Sequence, residues 1–508
     1  MWPTARCPAT APRDSVESVK RWIYGILAIE IIGVLVFAVA YNSLDFHIYW
    51  EGGRAVTDGA RLYEEQLVEH WFTNTPFMGA VFVPISALPL TVARVAWQLA
   101  SVGAFAWACV TGLRLAGLRP SRRTAAAAVA AGLALQPMWQ SIFLGQVNPF
   151  LMALVMADIR RVSLGRSAGI GIGIATAIKL TPGVFVVLLL LAGRVRAAVT
   201  AGAAFLVCSL LAYAVSPDAS RVYWSGVFHD TSRVGVPYIS NQSPYGAAAR
   251  IFGGVDEIGA WYPVLPFVLG VSGMAVAVLW ARKSDWLAAA SATGVTGLLV
   301  SPISWAHHWV WVVPALLVLL RNGHRATAAC AYVVFAASPL WWTPHNGDPD
   351  QYGFHGPLTL VANCYLVAGL AFLAYMGVRL RRPDAGTPLQ GEGHDVGLLG
   401  LGKPVAGAVV AEPRVPFDGR VDLAQQPVER RVPLVPAPQQ RRAVQGRRVD
   451  EGDQPEERPA DRLHVRRDDR GEVRLVAQQP GDVVRPEVDA AEPALQPEVL
   501  DELAEEVQ

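Results

Sequence analysis

Charge is what this 508-residue chain has little of: Asp, Glu, Lys and Arg together make up 17% of it, against 52% hydrophobic residues. A soluble globule carries roughly a quarter charged residues. The deficit, joined to long apolar runs and 16 tryptophans, reads as an integral membrane protein. The net charge is only +1, so no broad basic field marks a nucleic-acid partner. Cysteine is scarce as well. Cys7, Cys109, Cys208, Cys330 and Cys364 include no CxxC pair, and they indicate neither a disulfide framework nor a zinc site. No clear internal repeat is visible, which counts against a transporter architecture.

Apolar runs fall near 22–41, 92–113, 124–143, 149–159, 168–178, 182–193, 197–215, 263–281, 286–300, 308–320, 326–341 and 357–378. They predict an all-α polytopic fold of about twelve crossings, because roughly 20 residues at 1.5 Å rise match a ~30 Å hydrocarbon core. The first run is too long for a signal-peptide core and reads as a retained helix. Basic residues such as Lys20, Arg114, Arg122, Arg160, Arg194, Arg282, Arg321 and Arg379 all fall on one face of this assignment. The positive-inside rule makes that face cytoplasmic and puts both termini there. Every segment rich in side-chain chemistry then lies outside. Runs 149–159, 168–178 and 182–193 are too short to cross alone and suggest an aqueous cavity dipping into the outer leaflet. Phe77–Leu90, short and carrying Pro84 and Pro89, fits a re-entrant or interfacial segment.

Three regions result: a cytoplasmic segment 1–21, a transmembrane domain 22–382 and a cytoplasmic tail 383–508. The tail has Phe417 as its sole aromatic and no Ile, Tyr, Trp, Cys, Met or Ser. Such a composition cannot bury enough apolar surface to offset ordering entropy and predicts disorder.

Asp45 stands in Asn42-Ser43-Leu44-Asp45-Phe46-His47-Ile48-Tyr49-Trp50, directly after the first run. A carboxylate at this depth serves chemistry on a lipid-linked substrate, ion movement, or only the interface. Between Lys20 and Lys283 the only lysine is Lys179, in Lys179-Leu180-Thr181-Pro182; it suits either a substrate phosphate or a lipid headgroup. Gly145-Gln146-Val147-Asn148-Pro149 offers two amides suited to sugar hydroxyls, while Asn148 before Pro149 also fits a helix start. Ser240-Asn241-Gln242-Ser243 offers two more in the long outer loop. Ser301-Pro302-Ile303-Ser304-Trp305-Ala306-His307-His308-Trp309 sets two imidazoles at the outer interface. Tyr49 and Trp50 belong to an aromatic-rich first loop, and such rings stack on sugars or anchor in lipid.

Taken in order, Asp-Phe-His-Ile-Tyr-Trp, Thr75-Pro76-Phe77, Gly-Gln-Val-Asn-Pro, Lys-Leu-Thr-Pro, Asn-Gln-Ser and Ser-Pro-Ile-Ser-Trp-Ala-His-His resemble the family-87 glycosyltransferases over about residues 20–380. The resemblance implies the C-type glycosyltransferase fold and a polyprenyl-phosphate sugar donor. Members of that family include α-1,2-mannosyltransferases of phosphatidylinositol mannoside and lipomannan assembly, and arabinofuranosyltransferases. It further implies inverting transfer to a glycolipid at the outer face of the plasma membrane, with mannose as the expected sugar. Asp45 would be the base. Lys179 with His307 or His308 would hold the donor phosphate, and Gln146, Asn148, Asn241, Gln242, Tyr49 and Trp50 would face sugar and acceptor. A polyprenyl phosphate leaves as a stable anion with no diphosphate to chelate, so neither metal nor cofactor is expected. Arabinofuranosyl transfer and lipid or glycan transport are the rival readings.

Overall fold

The structure, a computed structural model, describes residues 13–57, 61–345, 352, 354–381, 463–467 and 473–477. The first half runs α1 (Arg13–Ala40), α2 (Leu44–Ala55), α3 (Arg61–Glu64), the short antiparallel pair β1 (Gln66–Leu67) and β2 (His70–Trp71), then α4 (Pro76–Ser86) and α5 (Leu90–Leu115). It continues through α6 (Arg122–Leu133), α7 (Gln136–Phe143), α8 (Asn148–Ser163), α9 (Ile170–Ile178), α10 (Val184–Leu191) and α11 (Val195–Val215). The second half holds α12 (Pro217–Ser225), α13 (Pro244–Phe252), α14 (Val264–Arg282), α15 (Trp286–Val300) and α16 (Val312–Arg321). It closes with α17 (Arg325–Ala337), α18 (Pro357–Ala362) and α19 (Cys364–Leu380).

Helix length and composition do not confirm the predicted count of about twelve crossings. Among the described residues, four are long and apolar enough to span by themselves: Lys20–Ala40, Leu90–Leu115, Val195–Val215 and Val264–Arg282. Helices α7 and α8 pass the same test only when taken together, and the pair is bent by 120° at the turn between them, the shape of a broken span or a re-entrant loop. Proline explains the first departure. The run 124–143 breaks into α6 and α7 because Pro137, near the start of α7, has no N–H to continue the preceding helix. The run 326–341 ends early, at Ser338 in the left-handed region (φ +47) just before Pro339. The run 357–378 divides at Asn363.

Broken helices are what bring polar residues inward. Helix α2 packs against α4, and α9 packs between α8 and α11. The approach of α2 to α4 needs Gly53, where an added Cβ would sit 2.6 Å from the Phe82 backbone. Helix α4 is short, contains Pro84 and stops at the turn before α5. The expected disorder of 383–508 falls outside the described residues, apart from β3 (Leu463–Arg467) and β4 (Val473–Ala477). These two pair antiparallel with Leu463 opposite Ala477, a regular pairing that the composition did not predict.

Candidate active site

The site begins at the break after α1. Gln98 Nε2 donates to Ser43 Oγ at 2.6 Å and Arg94 Nε to the Ala38 carbonyl at 2.6 Å, fixing the corner from which α2 starts. Asp45 lies in the first turn of α2, where free backbone N–H groups and the helix dipole favour a carboxylate. The turn before α8 docks on this end: the Phe46 N–H donates to the Leu144 carbonyl at 3.0 Å, and Trp97 Nε1 to the Gly145 carbonyl at 2.8 Å. Only glycine fits there, since Gly145 has φ +72 and a Cβ would lie 2.4 Å from Phe46 Cβ. The fit delivers Gln146 to Asp45. Its amide donates to the carboxylate, while its carbonyl oxygen accepts from the Tyr49 hydroxyl at 2.9 Å. Tyr49 is buried, and Asn74 also reaches its hydroxyl.

Lys179 arrives from the other side, in extended backbone between α9 and the 3-10 turn Thr181–Gly183. The Thr75 hydroxyl donates to the Ala177 carbonyl, and the Ile178 carbonyl lies 3.3 Å from it. The N-cap of α4 is thereby latched to the end of α9. Lys179 Nζ donates to His308 Nε2 at 2.9 Å; an ammonium has no acceptor capacity, so this imidazole nitrogen carries the lone pair. Asp45 and Lys179 are close enough to act on one another electrostatically. Both lie at helix breaks, outside the spanning segments. Burial pushes the Asp45 carboxyl above the usual carboxylate range, against the Gln146 hydrogen bond and the charges of Lys179 and His70. Burial likewise brings Lys179 down to about 8, with Asp45 opposing.

The remaining predicted residues divide. His307 is buried, stacks edge-on against His308 with centroids 4.7 Å apart, and has no partner for either ring nitrogen among the described residues. Its carbonyl is held by Asn148 Nδ2 and Ser141 Oγ, each at 2.9 Å, and Asn148 Nδ2 also reaches Ser141 Oγ at 3.2 Å. Asn148 thus positions the histidine pair. Asn241 and Gln242 are fully buried, and their side-chain amides are engaged with the protein's own backbone. Asn241 Nδ2 donates to the Val236 and Pro302 carbonyls at 3.0 and 3.2 Å, and its Oδ1 accepts from the Ser304 N–H at 2.9 Å. Gln242 Nε2 donates to the Ile239 and Ala362 carbonyls, both at 2.8 Å. Each amide nitrogen has only two hydrogens, so neither residue has a donor left for a sugar. Trp50 also turns away: its Nε1 donates to the Leu88 carbonyl at 3.1 Å, and the Arg54 guanidinium stands 4.9 Å over its ring.

Sequence reasoning did not assign Asn74, Ser141, Thr75 or His70 to the site. Thr75 before Pro76 carried a legible helix-start signal; the others had none. No group of three or more His, Cys, Asp or Glu side chains suited to a metal ion occurs among the described residues.

Broken apolar helices that enclose an acid, a lysine and a histidine pair define a membrane protein with a polar site among its helices. The chain belongs to glycosyltransferase family 87, whose model matches residues 72–302; it is a glycosyltransferase. That match contains Gln146 and Lys179 and lies between Asp45 and the histidine pair. A relative from Mycobacterium tuberculosis (strain ATCC 25618 / H37Rv) is called a polyprenol-phosphate-mannose-dependent alpha-(1-2)-phosphatidylinositol mannoside mannosyltransferase. It is 32% identical over 364 residues, covering 65% of this chain and 83% of the relative. A Mycolicibacterium smegmatis relative, called a polyprenol-phosphate-mannose-dependent alpha-(1-2)-phosphatidylinositol pentamannoside mannosyltransferase, is 31% identical over 354 residues, covering 66% and 85%. No solved structure gives a significant match.

Proposed function

We propose that the chain transfers mannose from polyprenyl-phosphate-mannose to a glycolipid of the phosphatidylinositol mannoside or lipomannan type, at the outer face of the plasma membrane, by one inverting displacement. The observation that carries the chemistry is the convergence of Asp45, held by Gln146, with Lys179, held by His308, from motifs far apart in sequence. The names of the relatives supply the sugar and the acceptor class.

In this reaction an acceptor hydroxyl oxygen bonds to the anomeric carbon as the bond from that carbon to the phosphate oxygen breaks. The electron pair leaves with polyprenyl phosphate, and the hydroxyl proton passes to Asp45. A buried carboxylate whose affinity for protons has been raised is a stronger base than an exposed one. Lys179 neutralises the departing phosphate. His308 holds the Lys179 ammonium in place, and His307, with both ring nitrogens free, donates the second hydrogen bond to the phosphate. Gln146 and Tyr49 set the direction of the Asp45 carboxylate.

Purified chain in nanodiscs, given labelled polyprenyl-phosphate mannose and phosphatidylinositol mannosides, should yield a labelled glycolipid one sugar larger. Label from a polyprenyl-phosphate arabinose donor, with none from mannose, would move the assignment to arabinofuranosyl transfer. The sidedness has its own test. In a cysteine-free background, Gln66→Cys and Gly235→Cys should react with an impermeant maleimide in intact cells, and Pro120→Cys only after permeabilisation. Reaction of position 120 from outside would put Asp45 on the cytoplasmic face and remove the outer-face assignment.

A further inference from the structure

Arg250, in the last turn of α13, is fully buried, and among the described residues no carboxylate pairs with it. A buried cation is costly unless dipoles surround it. One loop supplies most of them. Arg250 Nη1 donates to the Pro237 and Tyr238 carbonyls, each at 3.1 Å. Its Nη2 donates to the Asn241 carbonyl at 2.9 Å and to Asn363 Oδ1, at the break between α18 and α19. The planar guanidinium therefore fixes both the curve of residues 237–241 and their seat against Asn363. That loop in turn holds the chain ahead of the histidine pair. Asn241 pairs with Trp305 in an antiparallel bridge. The Gln242 N–H donates to the Ser304 carbonyl at 2.9 Å, the Ser304 N–H to Asn241 Oδ1 at 2.9 Å, and the Ala306 N–H to Ser240 Oγ at 3.2 Å. Ser243 Oγ adds a bond to the Pro302 carbonyl at 2.7 Å. The Ile303 carbonyl, inside this clamp, is a hydrogen-bond partner of the His308 ring. Since Nε2 offers its lone pair to Lys179, the proton that Ile303 accepts is the one on Nδ1.

We propose that Arg250 is a positioning residue for the donor phosphate: through the 237–243 loop and the Ile303 carbonyl it holds the His308 ring with its lone pair toward Lys179. The assignment rests on the reading above in which Lys179 binds that phosphate. Arg250 acts through other residues, because its hydrogen bonds go to the loop and to Asn363. Without the clamp the imidazole is free to turn or to exchange tautomers, and the Lys179 ammonium loses its fixed acceptor. Asn241 and Gln242, whose amides serve the same clamp, belong to this arrangement.

The test compares Arg250→Lys, which keeps the charge but not the planar fork, with the milder Asn363→Ala, both in nanodiscs. Binding of sugar-free polyprenyl phosphate should weaken by roughly tenfold in the first and about threefold in the second, with acceptor KM and saturated kcat near native. If Arg250→Lys yields no folded protein, Asn363→Ala carries the comparison. Lys179 faces Asp45, His307 and His308, and losing the last as an acceptor makes its ammonium easier to deprotonate. The alkaline limb of kcat/KM, set at about 8 by Lys179, should therefore move toward lower pH. A loop that only supports the fold would lower yield and Tm and leave that limb in place, which overturns the proposal. A double-mutant cycle gives the second readout: in a His308→Ala background, Asn363→Ala should weaken phosphate binding no further, and additive losses overturn the proposal. Native phosphate affinity in Arg250→Lys and Asn363→Ala, with Lys179→Ala weakened, defeats the positioning role alone. Native affinity in Lys179→Ala as well defeats the phosphate reading on which it rests.

Discussion

Asp45→Asn should lower kcat by roughly 10²- to 10⁴-fold, the range that a positioned general base supplies. The amide is isosteric and keeps an oxygen for the Gln146 hydrogen bond, so the start of α2 and the turn at Gly145 should stay in place. It cannot take the proton of the attacking hydroxyl. The loss therefore belongs to the chemical step, and the donor KM should remain within about twofold of the native value. Insertion and yield in detergent should match wild type, because Asp45 is bound by a side chain and not woven into the backbone of its neighbours. Turnover at the native rate would remove Asp45 as the base and leave it an interfacial carboxylate.

Lys179→Ala should act on the other half of the reaction. A hydrogen bond to a charged group contributes about 1.5–3 kcal/mol, which corresponds to roughly 10- to 150-fold weaker donor binding. Acceptor KM should hardly change. Lys179→Arg keeps the charge but not the compact geometry that meets His308 Nε2, so partial retention is expected. The pH profile separates charge from packing. Asp45 must be ionised, and burial raises its pKa, so kcat/KM should climb with pH through a limb displaced above the ordinary carboxylate range. Lys179 must be protonated, and it loses its proton at about 8, so the profile should fall as pH rises through that value. In Lys179→Arg the alkaline limb should move upward while the acid limb stays. An untouched donor KM in Lys179→Ala would return Lys179 to the role of a headgroup contact.

Asp45 and Lys179 were legible in the sequence because each is an isolated charge at the edge of an apolar run, where burial makes charge conspicuous. Their juxtaposition was not legible. It depends on Thr75 latching the end of α9 and on Gly145 admitting α2, contacts between segments about a hundred residues apart. Asn241 and Gln242 looked like sugar-facing amides because composition cannot tell an exposed loop from a buried one. This loop is buried, its backbone carbonyls need donors, and the two amides provide them. The helix breaks were not legible for a related reason. Hydropathy reports that a run is apolar, and does not report that Pro137, Ser338 or Asn363 divides it. The same breaks let polar turns reach the site.

The most direct test of the division of labour between Asp45 and Lys179 is equilibrium binding of polyprenyl-phosphate mannose to Asp45→Asn and Lys179→Ala in nanodiscs, measured beside single-turnover transfer. Asp45→Asn should bind donor with native affinity and transfer its sugar roughly 10²- to 10⁴-fold more slowly. Lys179→Ala should bind roughly 10- to 150-fold more weakly and, once saturated, still transfer. Loss of donor binding in Asp45→Asn, or native binding in Lys179→Ala, would contradict the account.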